Sequence, residues 1–168
     1  EKGQYTGYFR DLMDAFAKEQ GIKVVYKPMA IDDLFKAYFA GEVDFKYPDD
    51  AAWRSEARKG HTIYYSKPSV AYVDGSLRLT ARKDITSAQI KTLGKPAGFV
   101  LQPYSSAVEA GLKVTEYAST KELLDALKAG KIDVAYHNID VALYYARSVG
   151  ENNIVFDPNL PMIQSDYR

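Results

Sequence analysis

A short pattern of residues occurs twice in this 168-residue chain, and it limits what the chain can fold into more than any other feature. Residues 33–47 match residues 122–136 without a gap at a constant offset (130 − 41 = 89). The like pairs are Leu34 and Leu123, Ala37 and Ala126, Ala40 and Ala129, Gly41 and Gly130, Val43 and Ile132, Asp44 and Asp133, and Tyr47 and Tyr136. Each copy has apolar residues at helical spacing, then a glycine typical of a helix end, then a short apolar run. The repeat therefore predicts two similar α/β lobes.

The rest of the chain predicts an alternation of helices and strands, which favours an α/β protein with a parallel sheet covered on its faces. The expected helices span residues 8–20, 31–40, 50–59, 87–93, 105–110, 120–129 and 140–148. The expected strands span 22–26, 43–47, 63–65, 70–79, 97–101, 113–117, 132–136 and 154–156. Asp74-Gly75 is typical of a hairpin turn and is expected to interrupt the strand 70–79. Ser119 or Thr120 is expected to cap the helix that begins there, and Ser119 stands at capping-box spacing from Glu122.

Composition excludes several classes of function. The formal net charge is zero and basic runs are short, so the chain lacks the positive patch of a nucleic-acid-binding protein. No apolar run approaches the length of a membrane span, and no signal peptide stands at the start. The absence of cysteine rules out thiol chemistry and thiolate metal sites. The two histidines, His61 and His137, have no partner at metal-ligand spacing. We therefore predict no metal and no cofactor.

Polar and aromatic residues stand at the ends of several of the predicted strands, and this position indicates a ligand site. Ligands of open α/β sheets bind beyond the carboxyl ends of the strands. The residues in this position are Tyr47, Asp49, Tyr104, Ser105, Ser106, Tyr136, His137 and Asn138. Ser105 and Ser106 also begin a helix, where free N–H groups favour an anion, although Ser105 would alternatively only cap that helix. The fourteen tyrosines of the chain suit a pocket for a small polar molecule or, taken singly, half-buried packing.

Two arginines stand close together in the polar segment after the first repeat. Arg54 and Arg58 are candidates for bidentate binding of a carboxylate, with Trp53 beside them as a flat apolar cover. The alternative interpretation is a solvated helix face. Asp44 and Asp133 begin their strands, away from the expected site, and are interpreted as turn or capping residues.

In order along the chain, these motifs resemble those of the bacterial extracellular solute-binding proteins that serve polar amino-acid ABC transporters and have the type II periplasmic binding fold. The resemblance rests on Gly7-Tyr8-Phe9-Arg10-Asp11-Leu12, Gly41-Glu42-Val43-Asp44, Ser55-Glu56-Ala57-Arg58, Tyr65-Ser66-Lys67-Pro68-Ser69, Gly130-Lys131-Ile132-Asp133 and Val141-Ala142-Leu143-Tyr144. It implies a ligand cleft between lobe 1 (residues 1–79) and lobe 2 (residues 80–158). Residues 159–168 would return toward lobe 1, and closure would use a hinge at 77–83.

The resemblance also implies a function. The chain would bind a small polar solute, amino-acid-like or related, without catalysis, in the periplasm or outside the cell. It would deliver that solute to the membrane permease of an ABC transporter. The arginine that holds a ligand carboxylate in the family maps to Arg58, with one residue too many before the next motif, so Arg54 is the other candidate. The aspartate that holds an α-ammonium maps to Asn138, which implies a weaker preference for ordinary α-amino acids.

The resemblance leaves further alternatives. The opening strand of the family and its closing return to lobe 1 are not present, so we expect a fragment of a longer protein or a dimer that exchanges this strand. The same clamp could be the ligand-sensing domain of a receptor or histidine kinase, with a signalling module as its partner. A third alternative is a dehydratase-like enzyme of the same fold, for which His137, Asp49 and Asp50 are the available acids and bases.

Overall fold

A six-stranded mixed sheet forms the centre of the molecule, which a computed structural model describes over residues 6–168. Its strands are β1 (Val70–Leu79), β2 (Thr92–Pro96), β3 (Lys113–Tyr117), β4 (Val134–Asn138), β5 (Ile154–Phe156) and β6 (Ile163–Tyr167). The strand order is β3-β2-β4-β1-β5, and β6 pairs with the first half of β1. Strand β2 runs parallel to β3 and β4, whereas β1 runs antiparallel to β4, β5 and β6. The prediction of a parallel sheet is therefore correct only for its β2–β3–β4 part.

Strand β1 is continuous, so the predicted hairpin turn at Asp74-Gly75 is wrong. Asp74 pairs with Asn138 of β4 on one side and with Ile163 of β6 on the other. Gly75 has a packing role instead, because a Cβ atom there would lie 2.6 Å from Cε2 of Phe156. A dipeptide common in turns is here held straight by neighbouring strands on both sides.

The helices are α1 (Tyr8–Gln20), α2 (Ile31–Phe39), α3 (Ser55–Arg58), α4 (Ser105–Glu109), α5 (Thr120–Lys128) and α6 (Ile139–Ser148). Their apolar faces agree with the sequence spacing: Leu123 and Leu127 of α5 pack with Leu77 and Ala135 of the sheet in the larger hydrophobic core. Ser119 Oγ accepts a hydrogen bond from the Glu122 amide at 3.2 Å, so the predicted cap is confirmed. The predicted helix 50–59 is reduced to α3.

The two copies of the repeat agree in their helices and differ in the segment after the glycine. Helices α2 and α5 have nine residues each at the predicted offset, and the glycine near the end of each has a left-handed backbone. After the second copy the chain forms β4, beginning two residues later than predicted, but residues 43–47 form no strand. That the two copies occupy equivalent positions in two lobes stays a prediction.

The predicted strands 22–26, 43–47 and 63–65 are wrong, since none of them is a strand in the described part of the chain. A strand is held by hydrogen bonds to a neighbour, and residues 22–27 and 42–47 instead face each other across a groove of about 460 Å³. The strand-exchanged dimer stays a prediction.

The strand predicted at 97–101 is also misplaced, because β2 occupies 92–96 and the chain turns at Gly98, whose φ is +74°. The predicted helix 87–93 is only a 3₁₀ turn at Ser87–Gln89. Gly94, which directly follows the predicted helix 87–93, lies in the middle of β2. An added Cβ there would stand 2.6 Å from Ile132 Cδ1 and 2.7 Å from Leu123 Cδ1.

Because that space is already filled, we expect Gly94→Ala to lower the free energy of unfolding by about 1–3 kcal/mol through overpacking. Urea unfolding of the variant measures this effect. Gly111→Ala is the comparison, since a Cβ there meets nothing within 4 Å and any cost comes from its backbone φ of +98°. Equal stability of wild type and Gly94→Ala would show that Ile132 and Leu123 move aside freely.

Asp133 fastens the start of β4 to the start of β2. Its carboxylate accepts hydrogen bonds from the amides of Lys91 and Thr92 at 2.9 and 3.0 Å and from Arg82 at 2.6 Å. Burial alone would raise the pKa of Asp133, but these hydrogen bonds lower it to about 2. Asp133 lies in a bend before β4, as predicted, but its carboxylate binds the backbone of a distant segment and does not cap its own turn. None of the helices between residues 6 and 168 has the length and hydropathy needed to cross a membrane.

Candidate functional site

A cavity of about 290 Å³ lies where the first half of the chain meets the middle of β1 and the end of β4. Helix α2 and residues 46–54 form one wall, and the turn at 98–100 with the start of α6 forms the other. Its aromatic lining consists of Phe35, Tyr47, Trp53, Phe99 and Tyr167. A wider, open cavity of about 1080 Å³ shares Arg54 and residues 98–100 with it and continues along α4. Together the two cavities form a cleft between both halves of the molecule.

The carboxylate of Asp74 lies in the lining of the smaller cavity and is 5% exposed. Its Oδ1 accepts a hydrogen bond of 3.3 Å from Asn138 Nδ2, which also donates to the Tyr167 hydroxyl at 3.0 Å. Burial raises the pKa of Asp74 to about 7, although the hydrogen bond from Asn138 lowers it. No lysine, arginine or histidine among residues 6–168 forms an ion pair with this carboxylate. It is a buried acid without a counterion.

A group of four charged residues lies behind the wall formed by residues 46–54. Asp49, only 4% exposed, accepts from Arg58 Nη2 at 2.7 Å and from Lys46 Nζ at 2.9 Å. Asp50 accepts from Ser165, from the Ala52 amide and from Tyr72. Burial opposes ionisation of Asp50, but these hydrogen bonds keep its pKa below the ordinary value. Two cations and two carboxylates thus balance one another within the protein.

Arg58 is the residue that the resemblance assigned to a ligand carboxylate, and its guanidinium is already used inside the protein. Besides Asp49 it donates to the Trp53 carbonyl at 2.7 Å, to the Asp50 carbonyl at 3.1 Å and to the Tyr65 hydroxyl at 2.9 Å. It is 9% exposed and lines neither cavity of the cleft. Its assignment to the ligand stays a prediction that this geometry disfavours.

Arg54 lies in the part of the cleft shared by both cavities. It forms an ion pair with Asp32, and its Nη2 donates to the Gly98 carbonyl at 3.1 Å. Its φ of +53° places it in the left-handed region, which is uncommon for a residue with a side chain. Since residues 32 and 98 belong to opposite walls, Arg54 connects the two sides of the cleft.

Tyr104 and Tyr136 lie behind the cleft, in the smaller hydrophobic core. They are 2% and 0% exposed, so neither presents a surface to a ligand in this structure. The Tyr104 hydroxyl shares a hydrogen bond of 2.7 Å with Ser76 Oγ, and burial raises the pKa of Tyr104 to about 12. The Tyr136 hydroxyl is buried with no partner in the described residues, and burial raises its pKa as well.

His137 lines the smaller cavity and is 6% exposed. Its side chain lies on the face of β4 opposite to that of Tyr136. Its Nε2 lies 3.0 Å from the Thr120 hydroxyl, whereas its Nδ1 is buried without a partner in the described residues. Burial lowers the pKa of His137 to about 4, so the ring is neutral at pH 7. No group of three side chains of the kinds that hold metal ions occurs within residues 6–168.

The predicted helix at 105–110 is only the five-residue α4. Ser105 Oγ donates to the Gln102 carbonyl at 2.8 Å, and Ser105 lines the wider cavity. Ser106 lines neither cavity. The anion site predicted at these serines stays a prediction.

The structure therefore brings five of the predicted site residues to the smaller cavity: Tyr47, Trp53, Arg54, His137 and Asn138. Asp49 supports its wall from behind. Sequence reasoning missed Asp74, since Asp74-Gly75 was interpreted as a turn. In an uninterrupted strand 70–79, Tyr72, Asp74 and Ser76 lie on one face, and this alternation could have identified Asp74 from the sequence.

Two sequence comparisons give relatives of this chain. The sequence model of bacterial extracellular solute-binding proteins, family 3, matches residues 1–87. The arginine-binding periplasmic protein of Mannheimia haemolytica is 26% identical over 147 residues. That match covers 88% of this chain, which spans only 60% of the length of the relative.

Solved structures show the same fold. An ancestral arginine-binding protein bound to glutamine matches with a TM-score of 0.72 at 23% identity, over 99% of this chain and 75% of that one. The GluR0 ligand-binding core in complex with L-glutamate has a TM-score of 0.79 at 16% identity, over 99% and 76%. The arginine-, lysine-, histidine-binding protein ArtJ of Geobacillus stearothermophilus has 0.75 at 20% identity, over 100% and 73%.

Proposed function

Because the chain belongs to family 3 of the bacterial extracellular solute-binding proteins, we propose that it binds a small organic solute in its cleft without transforming it. The predicted fold class, two α/β lobes with a ligand cleft between them as in type II periplasmic binding proteins, is confirmed by the structural likenesses. One observation carries the proposal: the 290 Å³ cavity is enclosed by both halves of the molecule and lined mainly by aromatic and aliphatic side chains. This is the usual character of a small-molecule site.

Uptake is the role that fits such binding. The relative from Mannheimia haemolytica is an arginine-binding periplasmic protein, which supports an amino-acid-like or related organic ligand and a place in the periplasm or outside the cell. We propose the membrane permease of an ABC transporter as the partner that receives the solute. His137, whose pKa burial lowers to about 4, would be only a weak base, and Asp49 is paired internally; both support binding over catalysis.

A block at the cavity tests this proposal. Val141 of α6 lines the smaller cavity and is 46% exposed, so Val141→Trp should fill ligand space and weaken solute binding at least about tenfold. Native mass spectrometry would identify any solute that copurifies, and a thermal-shift screen of amino acids, amines, sugars and organic acids would find others. Calorimetry then compares the affinities.

Val149→Trp is the matched control, since Val149 stands at the far end of the same helix, is 57% exposed and lies outside the cleft. Its affinity should equal that of the wild type. If no solute binds the wild-type protein, or if one binds equally well to Val141→Trp, the proposed function is wrong.

A further inference from the structure

The charges around the smaller cavity leave one of its groups without a counterpart. Arg58 and Lys46 both pair with Asp49, and Arg54 pairs with Asp32. Asp50 is held by three hydrogen bonds from uncharged groups. The side chain of Lys46 is 3% exposed, and its Nζ is directed to Asp49 and to the Pro48 carbonyl. Among the described residues, the remaining charge of the cavity lining is the carboxylate of Asp74. The interior of the cavity is therefore suited to a cation and supplies no free cation for an anion.

The positions that would bind an amino acid in the manner implied by the resemblance are also in use. Arg58 makes four hydrogen bonds to protein acceptors, which engage all three nitrogens of its guanidinium. Asn138 Oδ1 accepts from the Val141 amide at 3.1 Å and caps α6, while its Nδ2 donates to Asp74 and Tyr167. The acceptor left for a positive ligand is Asp74. Of its two carboxylate oxygens, Oδ1 accepts from Asn138, and Oδ2 accepts from no side chain among residues 6–168.

The walls of the cavity add a second source of attraction for a cation. Lys46 lies over the rings of Phe35 and Trp53 at 4.9 and 5.0 Å, so those faces already have a protein cation. Tyr47, Phe99 and Tyr167 also line the cavity, and no lysine or arginine among residues 6–168 lies over their rings. Aromatic faces around a carboxylate attract ammonium groups, including quaternary ones that cannot donate a hydrogen bond.

We infer that the cleft selects a small organic monocation without a carboxylate group, held by Asp74 and by the aromatic side chains beside it. This inference rests on the proposed function and names the class of solute. The volume of 290 Å³ stands at the lower end of ligand pockets and limits the body of the ligand to a small group. An ordinary α-amino acid is disfavoured, because its carboxylate would enter the cavity without a free cationic partner.

Matched probes separate the contribution of charge from that of shape. Tyramine and tyrosine differ by a carboxylate, as do choline and glycine betaine, and 3,3-dimethylbutan-1-ol is a neutral copy of choline. Calorimetry with the whole chain at pH 8 should show tyramine or choline binding at least about tenfold tighter than its carboxylated counterpart. Choline should also exceed the neutral alcohol, since only choline pairs with Asp74.

Asp74→Asn should weaken binding of the cationic probe by about 30-fold or more, since a buried charge pair is lost. Asp166→Asn is the control, because Asp166 is an exposed carboxylate on the neighbouring strand β6, and the affinity of this variant should be that of the wild type.

Tighter binding of the carboxylated probes, absence of binding by both cationic probes, or full affinity in Asp74→Asn would each overturn the inference. The proposed function would still hold after any of these results if another solute binds the protein and Val141→Trp abolishes that binding. Absence of every solute would remove both.

Discussion

Replacing Arg58 by alanine is expected to lower the free energy of unfolding by about 3–5 kcal/mol, because the change leaves buried charge without its partner. Asp49 would keep only Lys46, the Trp53 carbonyl would lose its donor, and the Asp50 carbonyl would keep only the Trp53 amide. Burial lowers the pKa of Lys46, an effect that Asp49 partly offsets, so the remaining pair is itself costly to maintain. Urea unfolding at pH 7 measures the loss.

Arg54→Ala is the comparison, since the Arg54 side chain is 30% exposed and its partner Asp32 is 61% exposed. Exposed pairs contribute at most about 1 kcal/mol, so this variant should unfold at nearly the same urea concentration as the wild type. The opposite pattern, with Arg58→Ala stable but unable to bind its solute, would return Arg58 to the ligand-anchoring role that the resemblance implied.

Asp74→Asn is expected to raise the free energy of unfolding at pH 8 by about 2–4 kcal/mol. Burial raises the pKa of Asp74 to about 7 in the folded protein, whereas an unfolded chain has the ordinary value of about 3.9. The folded state therefore binds the proton more tightly. The stability that this proton gives is complete below about pH 4 and is lost as the pH rises through about 7. The groups that face the carboxylate are Asn138, Tyr136, Tyr167 and, at longer range, Asp50.

Urea unfolding at pH 4.5 and pH 8 checks the sign, since the gain in Asp74→Asn should be present at pH 8 and nearly absent at pH 4.5. Asp133→Asn provides the contrast. The pKa of Asp133 is lowered to about 2, so its stabilising effect is present above about pH 4 and is lost as the pH falls through 2. That variant should be less stable than the wild type at pH 8. A less stable Asp74→Asn at pH 8 would show that the Asn138 bond outweighs burial.

The sequence predicted well those elements whose signal is local. Helices α1, α2, α5 and α6 have strong apolar periodicity and clear end residues, and their observed bounds lie within one residue of those expected. The strands were harder, because a strand exists only with a neighbour. The segment 22–26 has the alternation of a strand but no neighbouring strand to pair with. Asp74-Gly75 has the composition of a turn but lies in the middle of strand β1.

The candidate site was predictable in position more than in chemistry. The end of β4 led correctly to His137 and Asn138, which line the cavity, whereas Tyr47 lines it although the strand predicted at 43–47 does not form. Which charges are free there depends on long-range pairing that no spacing reveals. Arg58 and Asp49 are nine residues apart and neutralise each other, and Asp74 lacks a cation because none of the packed elements supplies one.

The central place of β1 in the sheet also bears on how a new specificity could arise. Asp74 belongs to a strand fastened along both edges, by β4 on one side and by β5 and β6 on the other. The backbone of Asp74 is paired with β4 and β6 at once, so insertions beside it would disturb two ladders. In the facing wall, residues 51–54 form a turn outside the sheet and outside the group of buried charges, so replacements there leave the sheet intact. Descendants of this chain should therefore diversify their solutes through that segment while retaining the strand, and directed evolution would do best to begin in the same segment.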